Sequence, residues 1–246
     1  MKTHYTIIGG GRLARHFAHY FSLLEISFNQ WQRAASLTTL SLQEMLADSS
    51  HILLLISDCA IPEFLRKHPY LHEKTIIHCS GAHSFPGLAG VHPLMTFSTE
   101  LYALDKYQAI PMVCEQNDNP KHQFAQLFPQ LDNPVYTLAR ADKALYHAYC
   151  VSAGNLSQII QQFSLEGLQK LGLPDTILHP YLQQNLNNYL EQGSASLTGP
   201  LVRADQVTID ANLAALKGLP MESIYRQIAG QYLKLQTTTS PDELAA

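Results

Sequence analysis

Charge is scarce in this chain. Only 15% of its 246 residues are Asp, Glu, Lys or Arg, and the net charge is −4. No basic block and no acidic tail is present, which argues against nucleic acid and against an anionic membrane surface as partners. No apolar run reaches the length a membrane span needs. Met1-Lys2-Thr3 leads almost directly into the first apolar stretch, which leaves no room for a signal peptide. Cysteine is equally sparse. Cys59, Cys79, Cys114 and Cys150 lie far apart, with no C-x-x-C pair. The expectation is buried free thiols in a reducing, cytoplasmic setting. The histidines lack metal-ligand spacing; His78 and His83 face each other only across a turn, so no metal is expected. There is no G-x-x-x-x-G-K-[ST] loop and no G-x-S-x-G elbow, which excludes P-loop and α/β-hydrolase chemistry.

What the chain has instead is a glycine cluster behind a short apolar stretch. His4 to Ile8 reads as a strand, and Leu13, Phe17, Phe21 and Leu24 recur at helical spacing. Between them lie Gly9, Gly10, Gly11, Arg12, Leu13 and Ala14, with Gly9, Gly11 and Ala14 spaced G-x-G-x-x-A. In a strand-loop-helix context this is a dinucleotide-binding fingerprint. Gly9 permits the tight turn, Gly11 lets a pyrophosphate approach the backbone, and Ala14 lets the helix sit close to the sheet. The helix N-terminus offers unpaired N–H groups to the phosphates.

The second strand is expected over Glu25 to Arg33. No Asp or Glu ends it, where an NAD site would hold the ribose hydroxyls; it ends at Arg33. A guanidinium there pairs with a 2′-phosphate or is simply a solvated arginine, and the first reading predicts NADP rather than NAD. His51 to Ile56 and Thr75 to His78 are continuous apolar runs, as strands buried on both faces should be. Small and polar residues follow them. Ser57, Asp58, Ser80 and Gly81 are thus candidate walls of a cofactor cleft, or ordinary turn residues. Further strands are expected over Tyr107 to Cys114 and Pro134 to Leu138, with a helix over Asn119 to Leu131. Strand-helix alternation through about residue 138 predicts a Rossmann-type, doubly wound parallel α/β domain over residues 1–139.

The character then changes. From Ala141 to Leu171 one long helical pattern runs, and further helices are expected over His179 to Gln192, Pro200 to Lys217 and Met221 to Leu235. Residues 140–236 are expected to form an all-α domain, with 237–246 a frayed tail. On the long helix His147 and Asn155 lie roughly 80° apart in projection and about two turns apart along the axis. His147 is a proton-donor candidate beside a nicotinamide, with Asn155 orienting a carbonyl or imine. The other reading is a histidine that caps or bridges domains. Lys143 is expected to be solvated. In Thr198-Gly199-Pro200-Leu201-Val202-Arg203-Ala204-Asp205, Pro200 suits a first helical turn capped by Thr198 or Gly199. Arg203 clamps an anionic substrate group or pairs with Asp205. His92, after the fourth apolar strand, is a second proton-donor candidate.

This combination resembles the group of pyrroline-5-carboxylate reductase, ketopantoate reductase and the deazaflavin-dependent NADP reductases, which share a 6-phosphogluconate-dehydrogenase-like C-terminal domain. More closely, it is similar to a family of oxidoreductases with a Rossmann-like domain and a C-terminal domain of unknown function. The similarity runs through Ser80-Gly81-Ala82, His92-Pro93-Leu94, Tyr146-His147-Ala148, Asn155 and the Thr198 to Asp205 segment. It covers nearly the whole chain. This chain departs from the family at Ala204 and Gly154, where Gly and Ser are usual. The resemblance implies NADP binding, a homodimer through the helical domain, and a small-molecule substrate that it does not name. Ketopantoate reductase-like enzymes place a lysine where His147 stands here. The expected activity is hydride transfer between NADP(H) and a small carbonyl or imine. A non-catalytic NADP sensor is the alternative, and a flavin or deazaflavin is a third possible electron partner.

Overall fold

The computed structural model describes residues 3–32, 42–116, 118, 119 and 122–238. Seven strands form one sheet: β1 (Tyr5–Ile8), β2 (Phe28–Trp31), β3 (His51–Leu54), β4 (Thr75–His78), β5 (Ala89–Pro93), β6 (Met112–Glu115) and β7 (Val135–Leu138). Their order is β2-β1-β3-β4-β5-β6-β7. Helices α1 (Arg12–Leu23), α2 (Leu42–Met45), α3 (Ile61–Lys67), α4 (Leu104–Gln108) and α5 (Phe124–Leu127) connect them. The chain leaves β1 towards β2 and returns to β3 on its other side. The crevice beyond the ends of β1 and β3 is therefore the switch point of the sheet, where such folds bind ligands.

Both faces of the central strands are covered, which is why β1, β3 and β4 read as apolar runs rather than alternating ones. Tyr5, Ile7, Leu53, Ile77 and Val91 pack with Phe17, Tyr20, Phe21 and Phe128 on one side. Ile8, Ile52, Leu54 and Ile76 pack with Leu42, Leu46, Ile61 and Leu71 on the other. Each such side chain contributes about 1.5–3 kcal/mol when fully buried. Ala14 is buried, so α1 lies close on the sheet. Polar ends inside this core are partnered: Tyr5 Oη donates to the Leu127 carbonyl at 2.8 Å, and Tyr20 Oη to Asn133 Oδ1 at 2.9 Å.

The sheet is not parallel throughout. β1 to β5 run parallel, β6 is antiparallel to β5, and β7 is parallel to β6. Pro93 pairs with Met112, so β6 begins beside the end of β5. The link between them holds only the short α4 and makes no crossover, which a parallel pair would require. This link also corrects the strand expected over Tyr107 to Cys114. Tyr107 belongs to α4, where its hydroxyl meets His16 Nδ1 of α1 at 2.8 Å. Of the helix expected over Asn119 to Leu131, which includes residues outside the described ones, α5 forms the part Phe124–Leu127.

By its contacts the chain divides into two compact units, Met1–Gly154 and Asn155–Ala246. The last strand ends at Leu138, and α6 (Lys143–Val151) belongs to the first unit. A π-helical segment, Ser152–Leu156, follows α6. The second unit is helical, with α7 (Ser157–Lys170), α8 (His179–Gln192), α9 (Gln206–Ala215) and α10 (Pro220–Thr238). Helix α10 runs into the expected tail, of which residues 239–246 lie outside the described residues.

Helix α9 does not begin at Pro200. Gly199 and Ala204 have φ of 101° and 50°, so the backbone is left-handed on both sides of the Pro200 turn. Asp205 is the N-cap instead, accepting from Thr208 N at 3.1 Å and Thr208 Oγ1 at 2.7 Å. The left-handed backbone at 204 favours glycine: an alanine costs about 1–2 kcal/mol in that conformation.

Among the described residues no helix is long and apolar enough to cross a membrane. The four cysteines are free, but only Cys114 is buried; Cys59 is exposed. That corrects the expectation of uniformly buried thiols.

Candidate functional site

A cleft of about 920 Å³ lies at the switch point. One wall is the loop after β1, Gly9 to Leu13, and the others are Trp31 and Gln32 at the end of β2, Leu55 to Ala60 after β3, and Cys79 and Ser80 after β4. Three glycines shape it for three reasons. Gly9 has φ of 146°, and a Cβ there would collide with the Leu55 carbonyl. A Cβ on Gly10 would strike the Gln32 side chain. Gly11 is different: a Cβ would meet nothing within 4 Å, and its φ of −73° suits any residue. Gly11 is the N-cap of α1 and no side chain caps that helix, so its first N–H groups face the cleft without a side-chain acceptor. Gln30 Nε2 and Trp31 O hold Gly9 from β2, through bonds of 3.0 and 2.9 Å.

Arg12 and Leu13 line the cleft and Ala14 lies buried behind it. Ser57 and Asp58 also line it. Asp58 Oδ2 accepts from Ser80 Oγ at 2.5 Å, and Ser80 Oγ accepts from His83 N at 2.9 Å. These residues therefore tie the end of β3 to the loop after β4 while facing the cleft. Arg33 lies outside the described residues.

Gly81, the residue after Ser80, lies against two imidazoles. A Cβ on Gly81 would collide with His147 Cδ2 and come within 3.0 Å of His92 Nε2. The two rings are 6.1 Å apart between centroids, inclined at 74°. His92 sits on β5 and His147 on α6. His92 Nδ1 meets the Tyr146 hydroxyl at 2.8 Å. Burial, and then the charges of His147 and Lys143, push the His92 pKa down to about 4, with Asp58 opposing. His92 is thus neutral in the ordinary pH range, which removes it as an imidazolium proton donor.

The placement of α6 rests on a buried ion pair. Lys143, expected to be solvated, has a side chain only 5% exposed and donates to Glu115 Oε1 at 2.5 Å and to the His83 carbonyl at 2.6 Å. Arg140 Nε lies 3.0 Å from Glu115 Oε2. Glu115 fills the space left by Gly90, whose Cβ would collide with the carboxylate. Burial works against the Glu115 charge, but hydrogen bonding with His78 and Lys143 and the Lys143 charge outweigh it and bring its pKa to about 2. His78 is fully buried, 3.4 Å from Glu115 Oε1, and burial keeps it neutral. Sequence reasoning missed Glu115 and Tyr146. The available signals were a carboxylate closing a strand in a charge-poor chain, and a tyrosine inside the Tyr146-His147-Ala148 motif.

Asn155, Arg203 and Asp205 belong to the second unit. Asn155 and Arg203 are exposed. Asp205 is accounted for by its cap. Asn155 lies in the π-helical segment, where the bonding step is longer, so the roughly 80° projection from His147 does not carry across it. Among the described residues no group of three His, Cys, Asp or Glu side chains is arranged for a metal ion.

The family described as a domain of unknown function, DUF2520, matches residues 110–232, half of the chain. The chain belongs to the DUF2520 family. No curated protein matches it. This DUF2520 chain is similar in fold to a proposed NADP oxidoreductase from Bacteroides fragilis, with 20% identity, TM-score 0.75, and coverage of 95% of this chain and 98% of that one. It is similar to a reductive aminase from Aspergillus terreus solved with NADPH and ethyl-5-oxohexanoate, with 16% identity, TM-score 0.64, and 94% and 95% coverage. A pyrroline carboxylate reductase from Plasmodium falciparum, solved with NADP, matches at 12% identity and TM-score 0.56, over 94% and 99%.

Proposed function

We propose that this DUF2520 chain is an NADP-dependent reductase passing a hydride between the nicotinamide and a small carbonyl or imine compound. The observation that carries this is the continuity of the site: the cleft runs from the glycine loop to Ser80, and two histidines close on the next residue, Gly81. The residues fit the cofactor. The uncapped start of α1 and the open Gly11 suit a pyrophosphate. Gln32 stands after β2 where a carboxylate would repel a 2′-phosphate, and Arg33 follows it. The fold is shared with reductases solved with NADPH and NADP. NADPH, when bound, supplies the hydride. His147 holds the proton that the reduced atom takes up, and Ser80 and Asp58 shape the floor. Arg203 is kept as anchor for an anionic group on charge and exposure alone.

His147→Ala should lower turnover with NADPH by roughly 10²–10⁴-fold, the usual size of a general-acid contribution. NADPH affinity should stay within a few-fold. Steady-state rates beside a fluorescence titration measure both, and unchanged turnover removes His147 from the mechanism.

The proposal includes a homodimer formed through the helical unit. Among its described residues only Ile209 and Ala229 are buried hydrophobics, while Ile159, Leu171, Ile177, Tyr181, Leu190 and Val207 are exposed. A helical unit with so small a core needs a partner surface, and a second copy supplies the same apolar chemistry. Light scattering should give twice the 27.4 kDa chain mass. A monomer at micromolar concentration contradicts the dimer without touching the reductase reading.

A further inference from the structure

The two ring nitrogens of His92 have different surroundings. Nδ1 lies 2.8 Å from the Tyr146 hydroxyl. Nε2 is turned to Gly81, on the side where His147 also closes. Among the described residues, Tyr146 is the hydrogen-bond partner of this ring.

The bond can run either way, and the chemistry of the donors decides. A phenol O–H is a strong donor to an imidazole lone pair, and 2.8 Å suits O–H···N. The reverse would put the imidazole N–H on a phenolic oxygen and send the phenol proton elsewhere. The remaining partner is Cys150, one turn along α6, whose sulfur is a weak acceptor.

We propose that Tyr146 is a positioning residue: its hydroxyl donates to His92 Nδ1 and fixes the ring as the Nε2–H tautomer, presenting that N–H beside Gly81 to the acceptor atom of the substrate. Burial, and then Cys150, raise the Tyr146 pKa, so the phenol keeps its proton. The groups acting on His92 are His147, Lys143 and Asp58, and their balance with burial leaves the ring neutral. The donor is therefore present throughout the neutral range. Its partner must carry a lone pair at the reacting end. That selects a carbonyl oxygen or an unprotonated imine nitrogen and disfavours an iminium, whose N–H would face another N–H. The two histidines then have separate tasks, with His92 polarising the acceptor and His147 holding the proton. The substrate part of this inference rests on the reductase reading; the tautomer does not.

Long-range ¹H–¹⁵N correlation on the full chain carrying ¹⁵N-histidine tests it without nucleotide. The His92 signals are those lost in His92→Gln. In the wild type Nδ1 should be unprotonated and Nε2 protonated at neutral pH. In Tyr146→Phe the ring should become a mixture of both tautomers, with Tm nearly kept. An Nδ1–H ring in the wild type, or an unaltered Nε2–H ring in Tyr146→Phe, overturns the proposal. If Tyr146→Phe does not fold, the wild-type spectrum alone decides. Neither spectrum depends on turnover, so a failed reductase assay and a failed tautomer assignment are separate results.

Discussion

Lys143→Met should lower the unfolding free energy by about 3–5 kcal/mol, the cost of leaving one member of a buried ion pair without its partner. The Glu115 side chain is 2% exposed, and Lys143 brings it both a charge and its shortest hydrogen bond. A methionine fills the same space but leaves the carboxylate without its buried partner, with only the more exposed Arg140 beside it, and it also abandons the His83 carbonyl. Because small domains carry only about 5–15 kcal/mol in total, the loss should be plain in urea denaturation. Removing both charges together, Lys143→Met with Glu115→Leu, should recover much of it, since no buried charge is then left uncompensated. The pH dependence carries a matching sign. The Glu115 carboxyl is lowered from an ordinary 4.5 to about 2. Its contribution is thus fully present above about pH 4.5 and lost as the pH falls towards 2. Glu115→Gln should lose less stability than the wild type across that window. Equal stability of Lys143→Met and the wild type would mean that the pair does not hold α6.

Gly11→Val should abolish NADPH binding, with Kd raised by more than about 100-fold, yet leave a folded chain. The two glycines beside it cannot test the site so cleanly, because a side chain on Gly9 or Gly10 would collide with the protein itself. At Gly11 a Cβ points into open cleft, and the backbone already has a conformation that valine accepts. The substitution should cost the fold at most about 1 kcal/mol, the usual range of N-cap preferences. The loss of binding has a steric origin: branched methyl groups would occupy the space where phosphate must meet the α1 N–H groups. Calorimetric titration beside a thermal melt separates the two effects. Undiminished NADPH affinity would place the nucleotide elsewhere.

The first unit was legible in the sequence where local rules set the structure. The β1-loop-α1 stretch carries its own turn chemistry, and β3 and β4 are apolar because both faces of the sheet are covered. The reversal of β6 was not legible, since direction depends on where the link after β5 runs, and no local pattern records that. The buried Lys143 was misread for a related reason. A lysine near a helix start is usually solvated, and its partner Glu115 stands 28 residues earlier. The Thr198 to Asp205 segment is legible as a helix start, but the position of its cap is not. Pro200 and Asp205 both suit a helix start, and the left-handed Ala204 between them settles the choice for Asp205. His92 and His147 were each picked out singly; that they meet over Gly81 is a tertiary fact.

A crystal structure of the chain with NADPH tests the central claim most directly. The account predicts the pyrophosphate over the N–H groups that open α1, the 2′-phosphate on the side of Gln32 and Arg33, and the nicotinamide at Ser80 and Gly81 within reach of His147. A nucleotide bound outside this cleft, or a nicotinamide turned away from Gly81 into solvent, would contradict it.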